Sequence, residues 1–131
     1  MPKPDDYVKG VMSVPVVHVA PHATVAQALR TMIDHDIGAV VVAEGDSAVG
    51  VFTERDLTRR VLDDSGLLAR EVREVMSAPV MTVAPDDEVV FIFRVMAEKK
   101  IRRLPVVEDG RLVGIVTERD LLRWVDAVAT E

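Results

Sequence analysis

The chain has 131 residues, 49% of them hydrophobic, with 7 Gly, 7 Pro and a formal charge of −6, which suits one globular domain or two small units sharing a core. The negative balance argues against non-specific binding to nucleic acid or an anionic membrane, since both need a cationic surface. The absence of cysteine removes disulfides, thiol nucleophiles and thiolate metal sites. No apolar run approaches a membrane span and the start lacks a signal-peptide core, so the expected location is the cytoplasm.

Residues 1–7, with two prolines and two aspartates, form an N-terminal tail whose first six residues are expected to be disordered. From Val11 onward the chain is an internal duplication. Val11-Met12-Ser13 returns as Val75-Met76-Ser77, Met32 and Ile37 return as Met96 and Ile101, and the segment 49–57 returns at 113–121, always 64 positions on. Aligned without a gap, 11–57 and 75–121 share 21 identities in 47 positions, so one structural unit occurs twice.

Each copy opens with a β-branched run after a proline, 16–19 and 80–83, which predicts a strand ended by Ala-Pro. A helix capped by Thr24 follows, with Val25, Ala28, Leu29, Met32 and Ile33 on one face; Val89, Ile92, Phe93, Met96 and Ala97 repeat that face. Next come two hairpins, 39–43 with 48–52 around Gly45-Asp46, and 104–107 with 112–116 around Asp109-Gly110. Their almost continuous apolar strands imply sheets covered by helices on both faces. Thr53 and Thr117 start the last helices, with Leu57 and Val61, or Leu121 and Val125, on one side. Residues 67–75 are expected to form a connecting helix. Each repeat is thus β-α-β-β-α, in the α+β class, with domains at 8–66 and 67–128.

The chemistry concentrates in Thr-Glu-Arg-Asp at 53–56 and 117–120, where a hydroxyl and a carboxylate three residues apart sit at a strand-to-helix junction. The free N–H groups and positive end of a helix suit phosphate, and a carboxylate can accept vicinal ribose hydroxyls. The same spacing also makes a capping box, with Asp in the place of the usual Glu or Gln. Both alternatives stand on the local sequence.

The Val-Met-Ser openings, the segment Ile101-Arg102-Arg103-Leu104-Pro105-Val106-Val107 and the repeated Gly-hydrophobic-hydrophobic-Thr-x-x-Asp together resemble a tandem pair of cystathionine β-synthase (CBS) domains. The resemblance covers about 8–128. It implies two repeats packed through their sheets about a pseudo-twofold axis, with two clefts that take an adenosine nucleotide as regulatory ligand, AMP or ATP first, with NAD and S-adenosylmethionine as further options. Carried over by position, the first cleft would use Thr53, Arg55 and Asp56, with Arg102 and Arg103 for phosphate and Val80, Met81 and Thr82 near the base. The second would use Thr117, Arg119 and Asp120, with Gly38, Ala39, Val16, Val17 and His18. Because Gly38-Ala39 stands where the other copy has Arg102-Arg103, two unequal sites are expected, the first favouring a polyanion.

The histidines His18, His22 and His35 lack metal-ligand spacing, so no metal is expected. Asp63-Asp64 and Asp86-Asp87 read as solvated charges, and with no positioned nucleophile and base the chain is not expected to be an enzyme. Val90, Phe91 and Val95 lie beside the buried stripe of their helix and, with Leu122 and Trp124, predict a face through which two modules pair as a homodimer. The expected function is a ligand-sensing regulatory module acting on an effector carried by another chain. The alternative is a ligand-independent interaction dimer.

Overall fold

The duplication in the sequence is a duplication of secondary structure in the computed structural model, which describes residues 3–130. The elements are α1 (Val8–Val11), β1 (His18–Val19), α2 (Val25–His35), β2 (Ala39–Glu44), β3 (Ser47–Thr53), α3 (Glu54–Arg60), α4 (Val89–Lys99), β4 (Arg103–Glu108), β5 (Arg111–Thr117) and α5 (Glu118–Ala129). Two compact units result, one spanning 17–80 and the other combining 1–16 with 81–131. The tail expected to be disordered contains a 3-10 turn at Pro4–Asp6; Met1 and Pro2 lie outside the described residues. The connecting segment is two 3-10 turns, Leu67–Ala69 and Val72–Glu74, rather than one helix. Leu67 and Val72 bury their side chains in the core of the 17–80 unit, and in Arg70–Asp64 a hydrogen-bonded guanidinium holds the Asp64 carboxyl below the usual carboxylate range.

Local signals in the two copies work alike. Thr24 accepts the Gln27 N–H and the Gln27 side chain accepts the Thr24 N–H, closing a capping box on α2. At the other end Asp36 is left-handed, φ 52°, and Ile37 N–H donates to the Met32 carbonyl at 3.0 Å. Lys100, φ 55°, and Ile101 to Met96 do the same on α4. This is the Schellman pattern, in which the residue after the left-handed position also packs back on the helix. The recurrence of Met32 with Ile37 as Met96 with Ile101 has that cause. Both hairpins form, with Gly45 at φ 60° in one turn and Asp109-Gly110 at 53° and 78° in the other, the signature of a type I′ turn.

The copies diverge where a single residue withholds a hydrogen bond. In the 17–80 unit β1 runs parallel to β2, and Val41 N–H donates to the Val17 carbonyl. The equivalent of Val41 is Pro105, which has no N–H to give. The strand expected at 80–83 is therefore reduced to one bridge, Val83 with Val106. The burial of α4 is also rotated from the expected stripe: Val89, Ile92, Val95 and Met96 are buried, while Ala97 is exposed and Phe93, 37% exposed, packs its ring 5.8 Å from Trp124 of α5. Val95 thus belongs to the core of its unit and not to an outward face. In α2 it is Ile33 that turns outward.

Each hairpin is completed by a Val-Met-Ser segment from elsewhere in the chain. Ser77 exchanges two backbone hydrogen bonds with Val51 of β3, at 2.9 and 3.1 Å; Ser13 does so with Ile115 of β5, at 2.8 and 3.1 Å. The preceding methionines lie over glycines. A Cβ on Gly114 would come 2.6 Å from Met12 Sδ, and one on Gly50 would strike Met76 and reach 3.0 Å from the Ser77 carbonyl. Gly50→Ala is expected to cost about 1–3 kcal/mol of stability in urea unfolding, as overpacking does. Gly114→Ala should cost less and be partly rescued by Met12→Ala, because only that side chain is in the way. Met76→Ala should not rescue Gly50→Ala, since the Ser77 backbone remains.

Candidate functional site

The two Thr-x-x-Asp segments close strand into helix by the same hydrogen bonds. Thr53 N–H donates to Asp56 Oδ2 at 2.9 Å, Asp56 N–H donates to Thr53 Oγ1 at 3.2 Å, and the Thr53 hydroxyl also reaches Oδ2 at 3.1 Å. At Thr117 and Asp120 the three distances are 2.8, 3.3 and 3.1 Å. The capping role left open by the sequence is thus realised in both copies. It leaves one oxygen of each carboxylate for something else.

That oxygen is taken by a serine the sequence had marked only as repeated. Ser77 Oγ donates to Asp56 Oδ1 at 3.1 Å, and Ser13 Oγ to Asp120 Oδ1 at 2.9 Å. Asp120 is the more enclosed carboxylate, 5% exposed, with Arg123 Nη1 3.7 Å from Oδ1. The return of Val11-Met12-Ser13 as Val75-Met76-Ser77 was the available signal for these residues.

The hairpin register decides which charges stand near each aspartate. Ala39 pairs with Thr53, and Glu54 N–H donates to the Gly38 carbonyl at 3.0 Å. In the other unit Arg103 pairs with Thr117, Glu118 N–H donates to the Arg102 carbonyl at 3.1 Å, and Arg102 Nε lies 3.5 Å from Glu118 Oε1. The structure therefore brings Arg102 and Arg103 beside Thr117 and Glu118, and Gly38 and Ala39 beside Thr53 and Glu54. Arg55 and Arg119 project as exposed side chains from the first turns of α3 and α5. His18 opens β1, directly after Val16 and Val17; Val80 follows Pro79, and Met81 and Thr82 are exposed ahead of the Val83 bridge.

Three other polar groups singled out in the sequence have structural partners. Asp86 pairs with Lys9 at 2.9 Å, which raises the lysine above its ordinary range; Asp87 accepts the Ala84 N–H at 2.7 Å; and His35 Nδ1 lies 2.9 Å from the Thr31 carbonyl. Among the described residues no three His, Asp or Glu side chains gather around a metal position, and no helix is long and apolar enough to cross a membrane.

Comparison with known proteins agrees with this architecture. The family model of the CBS domain matches residues 8–63 and 72–127. An uncharacterized protein of Methanopyrus kandleri is 43% identical over 112 residues, which are 82% of this chain and 57% of that protein, so the chain spans little over half of that relative. The CBS domain-containing protein YhcV of Bacillus subtilis is 35% identical over 87% of this chain and 81% of its own length. Among solved structures, the CBS domain pair of protein MJ0100, in complex with 5′-methylthioadenosine and S-adenosyl-L-methionine, superposes with a TM-score of 0.83 at 27% identity, covering 93% of this chain and 97% of that one.

Proposed function

We propose a function from one established premise: the chain belongs to the CBS-domain family and carries the domain twice, as a regulatory module. The proposed ligand is an adenosine compound carrying phosphate, AMP or ATP, with Asp120 accepting ribose hydroxyls and Arg102 and Arg103 taking the phosphate. What supports this is the register that sets Arg103 across from Thr117, so that two guanidiniums, a hydroxyl and a buried carboxylate belong to one unit. Guanidinium pairs phosphate with charge-assisted bonds about twice as strong as neutral ones. Position by position the resemblance allotted these arginines to the Asp56 site; the hairpin favours Asp120 instead. The Asp56 site, with Gly38 and Ala39 for neighbours, suits a ligand without phosphate, in keeping with the 5′-methylthioadenosine and S-adenosylmethionine held by MJ0100.

Calorimetry against AMP, ADP, ATP, NAD(H) and S-adenosylmethionine tests this. Replacing Arg102 and Arg103 together by Ala is expected to weaken ATP by on the order of 100-fold, two charge-assisted hydrogen bonds at about 1.5 kcal/mol each, while S-adenosylmethionine changes little. Failure of every ligand to bind at millimolar concentration would overturn the proposal.

Output is proposed to pass to an effector on another chain, through a change in the relative population of two states of the module. A pairing of two copies is favoured by the exposure of Val90, Phe91 and Leu122, which lie on α4 and α5 of one unit; sedimentation of the protein and of a Phe91→Asp variant tests it. Among the residues expected on that face, Trp124 packs on its own core and Val95 lies within it.

A further inference from the structure

We infer that Ser13 sets how many ribose hydroxyls Asp120 can accept, which makes it a specificity-determining residue of the site proposed above, on which this inference rests. An ionised carboxylate offers about four lone-pair positions. At Asp120 the Thr117 N–H and hydroxyl engage Oδ2, at 2.8 and 3.1 Å, and the Ser13 hydroxyl engages Oδ1 at 2.9 Å. Arg123 lies beyond hydrogen-bond distance of the same Oδ1, at 3.7 Å. One position is then open where a vicinal diol needs two.

The Oδ2 donors are the least able to leave, because the Thr117 N–H is backbone and its hydroxyl also accepts the Asp120 N–H as a cap. Ser13 is the donor free to turn. Its side chain comes from the segment before β1, and its place in the sheet is fixed independently by the backbone pair with Ile115. A second ribose hydroxyl and the Ser13 hydroxyl are therefore alternatives on Oδ1. With the enclosed carboxylate satisfied before ligand arrives, the ligand gains only the difference between two hydrogen bonds.

Calorimetry of AMP and 2′-deoxy-AMP, at the site that Asp120→Ala abolishes, tests the competition. Ser13→Ala is expected to tighten AMP about fivefold, the worth of one net hydrogen bond, and to leave 2′-deoxy-AMP unchanged because its single hydroxyl uses the open position. Ser13→Cys, a near-isostere with a weak donor, should move the ratio the same way, and Ser13→Thr should keep it. A merely structural serine would shift both nucleotides together. A ratio unchanged or lowered in Ser13→Ala and Ser13→Cys overturns this inference alone; no binding of AMP to the unmodified protein overturns the adenosine proposal and this inference with it.

Discussion

A chain lacking residues 1–13 is expected to lose the fold of the unit that carries the second repeat, 81–131, while amides in the 17–80 hairpin stay protected from hydrogen exchange. The deleted segment looks like a leader to the first repeat, yet its side chains belong to the second. Val8 is fully buried in a cluster with Val83, Val89, Ile92 and Leu104, and Val11 and Met12 pack on the same cluster. Burying a valine contributes about 1.5–3 kcal/mol, and the cavity left behind adds to its loss. The two hydrogen bonds between Ser13 and Ile115 contribute about 0.5–1.5 kcal/mol each. Together with the Met12 contact over Gly114, the loss is about 5 kcal/mol, the low end of the stability of a whole domain. Hydrogen exchange of the truncated and full chains checks it. Wild-type protection across 103–117 after truncation would contradict the assignment of this segment to that core.

The reason such an exchange was invisible in the sequence is the duplication itself. Val11-Met12-Ser13 and Val75-Met76-Ser77 are identical, and so are the Val-Gly pairs in the middle of β3 and β5 that they cover, so the motif says that a methionine meets a glycine without saying which one. What was legible depended on local rules. The hairpins followed from Gly-Asp and Asp-Gly between apolar runs, α2 followed from periodicity with a cap, and α4 from periodicity alone. Two features needed tertiary information. Pro105 fits an edge-facing position of β4 without disturbing its pairing to β5, so its cost fell on the 80–83 strand, which a pattern of β-branched residues could not foresee. The rotation of α4 comes from α5: Trp124 covers Phe93 from the side, and Val95 turns into the core. At the site, the capping geometry was readable from spacing. Counting outward from the Asp109-Gly110 turn sets Arg103 opposite Val116; the bulge between Val106 and Val107 shifts it to Thr117, so that neighbourhood needed the structure.

Asp120→Ala is expected to destabilise the protein by about 2–4 kcal/mol, and Asp56→Ala by about 1 kcal/mol, although the two residues have the same neighbours in the sequence. Each carboxylate accepts from a threonine N–H, a threonine hydroxyl and a serine hydroxyl. Removing the acceptor strands these donors, and the penalty depends on whether water replaces it. Around Asp56, which is half-buried beside an exposed Ser77, water can enter, and the cost falls to that of a lost cap. Around Asp120, 5% exposed and flanked by buried Leu121, water has far less access. Asp120→Asn should recover much of the loss, because its amide oxygen still accepts the Thr117 N–H while Ser13 can rotate to accept from the amide nitrogen. Urea unfolding of the three variants at matched pH measures the order. Equal losses for Asp56→Ala and Asp120→Ala would mean that burial does not separate the two copies, and the difference between them would have to be sought in Arg102 and Arg103 alone.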